Sequence, residues 1–109
     1  LSNPVVTLGS FSVESTPTEF ALLQNFPNPF NPETTIKYNL ADGKNVSLRI
    51  YNVVGQVVRT LVAEQQNAGR YTVRWNGTDD RGVSVSSGIY FYQIAAGDYS
   101  DVKKLMLLK

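Results

Sequence analysis

Short segments in which apolar and polar residues alternate recur along the chain, and this period of two constrains its fold more than any other feature. A half-buried strand shows this period, whereas an amphipathic helix repeats about every 3.6 residues. Candidate strands lie at residues 34–40, 46–51, 57–63, 71–75, 83–85, 89–95 and 99–108. Segment 57–63 is apolar but irregular, so we expect a β-bulge or a change of face there.

Turn-forming residues separate these segments, and no segment has a convincing helical pattern. Residues 42–43, 67–69 and 96–98 all contain glycine beside Asp, Asn or Ala. Turn signals spaced about every 8 to 12 residues predict an all-β fold, an antiparallel β-sandwich of about seven strands. Trp75 is the single tryptophan, falls on an inward face and is a candidate core anchor.

The composition excludes several classes of function. The 109 residues include no cysteine and no histidine, which excludes disulfides, Ser-His-Asp and Cys-His sites, and metal sites built on those ligands. Ten Lys and Arg against nine Asp and Glu give a net charge of +1, with no electrostatic footprint for nucleic acid. The carboxylates fall mostly in turns, and no apolar run reaches the roughly 18 residues of a membrane span. We therefore expect no enzyme, no cofactor, no nucleic-acid partner and no transmembrane segment.

The first 19 residues differ in composition from the rest and are interpreted as a linker or the tail of a preceding domain. Ser, Thr, Pro and Asn dominate there, and residues 15–18 have the composition of a linker. Residues 5–8 and 11–13 form short strands in one interpretation and the last strand of a preceding domain in the other. The folded module is expected to span residues 20–109.

A proline-rich segment precedes the first alternating strand. Pro27, Pro29 and Pro32 fix the backbone φ angle and lack an N–H donor, so no helix or central strand can form there. We expect an ordered turn or extended edge, with Phe26 and Phe30 in the core beneath it. Its structural role is a rigid turn that blunts a sheet edge, and partner recognition is a second role that can coexist with the first.

Two polar features permit a binding interpretation beside a structural one. Asp79 and Asp80 are a weak calcium candidate, although a polar turn ending at Gly82 explains them equally and no complete ligand spacing is present. An aromatic platform for a polysaccharide would make the chain a carbohydrate-binding or adhesion module of a secreted enzyme. The candidates for that platform, which ordinary strand packing also explains, are Tyr51, Tyr71, Phe91 and Tyr99.

Five segments in order resemble the signature of type A C-terminal sorting domains of the type IX secretion system. These are residues 26–32 (FPNPFNP), 50–56 (IYNVVGQ), 69–77 (GRYTVRWNG), 87–92 (SGIYFY) and 103–109 (KKLMLLK). The same signature resembles the immunoglobulin-like domain of the flagellar hook-capping protein family. Residues that match the motifs include Pro27, Asn28, Pro29, Gly55, Gly88 and Tyr90.

The resemblance implies an immunoglobulin-like sandwich that performs no chemistry and serves as an export address. Such a domain follows an upstream cargo domain, folds in the periplasm and is recognised by an outer-membrane translocon. A sortase-like peptidase then cuts upstream of the domain, which here would fall around residues 14–20. The cargo would reach the cell surface or the medium. The end of the sequence directly after its last strand favours this interpretation over the flagellar one.

The last segment is the candidate for partner recognition, and it also has two interpretations. Structurally, the core is completed by Leu105, Leu107 and Val102, while Lys103, Lys104 and Lys109 keep a sheet edge soluble. Functionally, an exposed basic edge strand suits pairing with a partner's sheet. The candidate recognition residues are Lys103, Lys104, Leu105, Met106, Leu107, Leu108 and Lys109.

Overall fold

The computed structural model describes residues 16–109 in full and, before them, the backbone of two short strands. Strand β1 (Val5–Leu8) pairs antiparallel with β2 (Phe11–Glu14) as a two-stranded sheet. The two strands agree with the short strands expected at the start of the sequence. Ser15, in the expected linker and cleavage region, lies outside the described residues, and the assignment of residues 1–19 to a linker or a preceding domain stays a prediction.

Seven further strands form two antiparallel sheets, which confirms the all-β sandwich. They are β3 (Ala21–Leu22), β4 (Thr34–Leu40), β5 (Lys44–Tyr51), β6 (Val57–Gln66), β7 (Gly69–Trp75), β8 (Gly88–Ala96) and β9 (Tyr99–Leu107). The three-stranded sheet has the order β3-β4-β7 and the four-stranded sheet the order β6-β5-β8-β9. The expected strand at 83–85 is wrong, because Ser84 forms only an isolated bridge with Thr78. The short β3, which was not among the expected strands, brings the number of strands in the sandwich to seven.

The core lies between the two sheets and follows the alternation in the sequence. Ile36, Tyr38 and Leu40 of β4 are fully buried, as are Leu48 and Ile50 of β5. Burial of each such side chain contributes about 1.5–3 kcal/mol to folding relative to exposure. Alternate positions along each strand therefore fix which face of each sheet points inward.

Trp75 anchors one end of this core, as the sequence predicted. Its ring is 1% exposed and packs 5.5 Å from the rings of both Phe30 and Tyr90, measured between centroids. These contacts join the three-stranded sheet, the proline-rich segment and the four-stranded sheet. The folding of the proline-rich segment is thereby coupled to the closure of the sandwich.

Strand β6 has the irregularity expected for segment 57–63. Its pairing with β5 shifts register between Leu48 and Arg49 and again between Ile50 and Tyr51. Each shift leaves one extra residue on β6, which is the mark of a β-bulge. Because of the bulges, apolar residues that break the simple alternation, among them Leu61, still pack against the core.

Candidate partner-recognition site

Strand β9 lies at the edge of the four-stranded sheet and divides the predicted recognition residues into two groups. It pairs with β8 along its whole length, from Tyr99 opposite Ala96 to Leu107 opposite Gly88. Leu105 and Leu107 are 0% and 1% exposed, so their side chains belong to the core and are out of a partner's reach in the folded domain. The expectation that Val102 also completes the core is wrong: it is 53% exposed, because it lies three residues from Leu105 and therefore points to the opposite face of the sheet. Exposed side chains in the segment are Lys104, Leu108 and Lys109, with Lys103 and Met106 half-buried.

The proline-rich segment runs along the free edge of β9 and hydrogen-bonds to it. The Phe30 N–H donates to the Met106 carbonyl at 3.0 Å, and the Leu108 N–H donates to the Phe30 carbonyl at 3.0 Å. The Asn28 side-chain Oδ1 accepts the Met106 N–H at 3.0 Å. Segments 26–32 and 103–109, which lie far apart in sequence, therefore form one structural unit.

This pairing changes what the terminal strand can offer to a partner. Besides the groups of Met106 and Leu108, the Lys104 carbonyl accepts a hydrogen bond from Gln24 Nε2 at 2.9 Å. Consecutive main-chain groups of a strand point to alternate sides, so these bonded groups are the ones that face away from β8. The sequence suggested an exposed edge, but between Lys104 and Leu108 the edge is already occupied. A strand added there would have to displace residues 24–30.

The two phenylalanines of the proline-rich segment have opposite environments, and the expectation that both enter the core is wrong for one of them. Phe30 is 2% exposed and packs on Trp75, whereas Phe26 is 78% exposed. The main-chain N–H and carbonyl of Phe26 both pair with Thr35, at 3.0 and 2.9 Å, and its ring faces solvent. Phe30 pairs with β9 instead, and its ring closes the end of the core.

A buried polar network fixes the start of this segment, and sequence reasoning missed it. Asn25 and Thr34 are 3% and 1% exposed, and Asn25 Nδ2 donates to Thr34 Oγ1 at 2.9 Å. The Asn25 N–H donates to the Tyr92 hydroxyl at 2.8 Å, and that hydroxyl donates to the Leu23 carbonyl at 2.7 Å. Burial raises the pKa of Tyr92 to about 12. The only sequence signal for Asn25 was its position directly before the proline motif.

Residues of the other motifs act mainly through the backbone or the core. Gly55 has a φ of +85°, which non-glycine residues rarely adopt, and its N–H donates to the Asn52 carbonyl in the β5–β6 turn. Gly88 begins β8 opposite Leu107. Tyr90 is 6% exposed, and its hydroxyl donates to the Ser86 carbonyl at 2.7 Å.

The four aromatic residues proposed as a polysaccharide platform do not form one surface. Tyr71 stacks on the buried Tyr38, and Tyr99 stacks on Phe20 with centroids 5.3 Å apart. Tyr51 and Phe91 are direct cross-strand neighbours of β5 and β8. The structure brings together only this pair, so the planar row of three that the interpretation requires is not formed by these residues.

The calcium candidates have protein partners for their carboxylates. Asp79 Oδ1 accepts the N–H groups of Arg81 and Val83 at 2.9 and 3.0 Å, and Asp80 Oδ1 accepts the Thr60 N–H at 2.9 Å. The hydrogen bond from Val83, followed by those from Arg81 and the Arg81 charge, holds the pKa of Asp79 below its usual value. Among the described residues, no three acidic side chains are grouped as metal ligands would be.

Several solved structures share this architecture. The chain aligns with PorZ of Porphyromonas gingivalis, a surface component of the type IX secretion system, at 19% identity and a TM-score of 0.54, covering 83% of this chain and 11% of PorZ. It aligns with latent PorU of the same organism at 19% identity and a TM-score of 0.62, covering 90% and 10%. It aligns with FlgD of P. aeruginosa at 24% identity and a TM-score of 0.53, covering 68% and 58%. At these identities the likeness shows the fold.

The family assignment comes from the sequence. No curated protein matches the chain. The part of the chain described here contains no helix that is long and apolar enough to cross a membrane. The model of the FlgD Ig-like domain family matches residues 31–100, which is more than half of the chain, and agrees with the flagellar half of the resemblance. The chain therefore belongs to the FlgD Ig-like domain family.

Proposed function

We propose that this domain is a non-catalytic sorting address that directs an attached cargo through the type IX secretion system to the cell surface or the medium. The observation that carries the proposal is the joining of the proline-rich segment to the terminal strand through Asn28, Phe30 and Met106. Both segments belong to the sorting-domain signature, and their contact gives one composite surface at the edge of the sandwich. The likeness in fold to small parts of PorZ and PorU supports the proposal.

In this proposal the partners are the outer-membrane translocon, a sortase-like peptidase and the covalently linked cargo. The exposed side chains of the terminal segment are Lys104, Leu108 and Lys109, and a translocon can contact them without unfolding the domain. Leu108 and Lys109 form the end of the segment. Leu108 is 50% exposed although its N–H is held by Phe30. The main chain there is fixed while the side chains are free, which suits a recognition element.

The test is export of a reporter protein fused to residues 20–109 in a bacterium that has a type IX secretion system. We expect the reporter at the cell surface or in the medium, and its retention in the periplasm would refute the proposal. Deleting residues 105–109 should abolish export, but this change also removes Leu105 and Leu107 from the core. A double substitution of Leu108→Ser and Lys109→Glu is sharper, because both side chains are exposed.

We expect the double variant to lower export while its melting temperature stays within a few degrees of the wild type. The matched control is Lys37→Glu combined with Val54→Ser, which makes the same two kinds of change at exposed positions away from the terminal strand. Equal export by the double variant and the wild type would remove the terminal residues from the recognition site.

A second candidate function is a part in flagellar hook assembly, and the family match favours it. The match covers residues 31–100, and the P. aeruginosa FlgD structure has the highest identity of the three compared, 24%. The test replaces the immunoglobulin-like domain of a hook-capping protein with residues 20–109. Restored motility would support this function, and a non-motile strain with a stable chimeric protein would count against it.

A further inference from the structure

The outer face of the four-stranded sheet carries two rows of side chains that cross all four strands. Residues in direct register on neighbouring strands point to the same face and lie about 5 Å apart. This face is opposite the one that buries Leu48 and Ile50. The first row consists of Val57, Tyr51, Phe91 and Lys104. The second row, next to the first, consists of Thr60, Arg49, Gln93 and Val102. We call these eight residues the four-strand face.

Several apolar side chains on and beside the four-strand face are open to solvent. Val102 and Val57 are 53% and 48% exposed, and Val53, in the adjoining turn, is 68% exposed. A shallow groove of about 410 Å³ lies beside Val53 and Val102, with Tyr51, Phe91 and Gln93 among its other lining residues. Apolar side chains grouped in this way on a soluble domain mark a contact surface more often than scattered ones do.

The charges on the four-strand face have one sign and lack partners. Arg49 and Lys104 are its only charged residues, and within residues 16–109 neither forms a salt bridge. Strand spacing and rise place their Cα atoms about 12 Å apart. Phe91, which lines the groove, is directly opposite Lys104 and diagonally opposite Arg49. The face therefore combines two free positive charges with an adjoining, largely apolar groove.

Packing within the domain does not explain these side chains. Tyr51, Phe91 and Lys104 come from three of the five motif segments, 50–56, 87–92 and 103–109. Their neighbours Ile50, Tyr92 and Leu105 are each 0% exposed and account for the apolar positions that the core requires. The outward residues of the same segments are not needed to fill the core, and within the domain Tyr51, Phe91 and Lys104 only pair across strands on the outer face.

We propose that the four-strand face binds an extended acidic segment of a partner protein, in which an apolar side chain enters the groove and flanking carboxylates meet Arg49 and Lys104. A separation of about 12 Å corresponds to three or four residues of extended chain. The aliphatic lining from Val53 and Val102 suits an apolar side chain better than a sugar. A second copy docking face to face would bring like charges together. The inference is independent of whether the domain sorts cargo or caps a hook.

The experiment selects binders from a library of random eleven-residue peptides displayed on phage against the immobilised full chain. We expect the selected peptides to be enriched in Asp or Glu three or four residues apart around an apolar residue. Titration of a selected peptide into isotopically labelled protein should shift the amide resonances of Phe91, Val102 and Lys104. Binding should weaken as salt is raised, because the charges are exposed.

The decisive variant combines Arg49→Glu and Lys104→Glu, with Lys37→Glu and Arg74→Glu as the control of equal charge change on the other sheet. We expect the first pair to weaken peptide binding about tenfold or more and the control pair about twofold or less, because the charge reversals on the four-strand face replace two attractions with two repulsions. Melting temperatures of both variants check that the fold is kept.

Four results would overturn the inference. They are a selection that yields no binders, selected peptides without acidic enrichment, equal loss of binding in both pairs, and amide shifts that map elsewhere. Displacement of the peptide by a neutral oligosaccharide would identify a sugar site instead. Self-association that the Arg49 and Lys104 variant abolishes would identify a dimer interface.

Discussion

Removal of one hydroxyl group, by Tyr92→Phe, should show how strongly the proline-rich segment depends on its buried anchor. The Tyr92 hydroxyl accepts the Asn25 N–H at 2.8 Å and donates to the Leu23 carbonyl at 2.7 Å. Phenylalanine keeps the ring, which is 0% exposed, so the core contacts stay in place. The perturbation therefore removes two hydrogen bonds and almost no apolar packing.

The expected cost follows from what happens to the two groups left behind. Asn25 is 3% exposed, so water does not reach its freed N–H, and an unpaired buried donor costs about 1–3 kcal/mol. Leu23 is 41% exposed, and water can replace the bond to its carbonyl at a small cost. The total is about 1–3 kcal/mol of unfolding free energy, with a small addition from Leu23. For a domain of about 100 residues this lowers the melting temperature by roughly 5–20 °C.

Tyr90→Phe is the matched control, because Tyr90 lies two residues away on the same strand. Its hydroxyl makes one hydrogen bond, to the Ser86 carbonyl, and its loss should cost about 1 kcal/mol. Urea unfolding can be followed by the fluorescence of Trp75, the single tryptophan, which is 1% exposed when folded. Amide exchange at Met106 and Leu108 should also accelerate more in Tyr92→Phe, because residues 25–30 hold these amides.

The reasoning fails if the two variants have equal unfolding free energies at unchanged urea dependence. It also fails if Tyr92→Phe lowers stability as expected while exchange at Met106 and Leu108 keeps its wild-type rate. The second result would show that the Tyr92 hydroxyl stabilises the domain without determining how firmly residues 25–30 are held against the edge of β9.

Three further predictions test other parts of the structure. Phe30→Ala should cost about 3–5 kcal/mol of unfolding free energy, whereas Phe26→Ala should change it by less than about 0.5 kcal/mol; similar urea midpoints would contradict the opposite environments of the two rings. Burial raises the pKa of Tyr38 and of Tyr92 from 10.0 to about 12, so the stability they contribute is complete below pH 10 and is lost as the pH rises towards 12. Absorbance at alkaline pH should show late tyrosinate formation in the native protein, and titration of all tyrosines near pH 10 would refute this. The lowered pKa of Asp79 gives stability that is present above pH 3.8 and is lost as the pH falls below it. Asp79→Asn should therefore make the melting temperature fall less steeply between neutral and acid pH than it does in the wild type. The calcium hypothesis is checked in the same melts, since an unchanged midpoint with calcium and with chelator removes it.

The alternation in the sequence was a good guide to the strands because burial on one face leaves a local signature. The alternation of Ile36, Tyr38 and Leu40 with polar residues identifies the buried face of β4 without information from any other part of the chain. The short β3 has no such pattern, because two residues cannot show a period. Segment 83–85 was misassigned for the converse reason: Val83 and Val85 alternate with Ser84 but lie in a loop, and Val83 is 53% exposed.

The proline-rich segment was assigned correctly as non-helical, because proline acts on its own backbone. Its partners were not predictable in the same way. The contact of Asn28 with Met106 joins residues 78 positions apart, and no local pattern encodes it. The opposite environments of Phe26 and Phe30 depend on which strand each residue pairs with. Because this pairing has no local signature, the sequence predicted the same buried position for both rings.

The sequence alone determined the class of fold, the absence of histidine and cysteine chemistry, and the segments that resemble a sorting or hook-capping domain. These properties depend on residue type and short-range order, which the chain carries before it folds. Tertiary structure decided which motif residues are core, which edge of β9 is occupied, and that Arg49 and Lys104 flank one apolar face. Each of these depends on strand pairing between distant segments. The last strand ends as part of a composite surface because β8 pairs with one of its edges, and residues 24–30 hydrogen-bond to the other edge between Lys104 and Leu108.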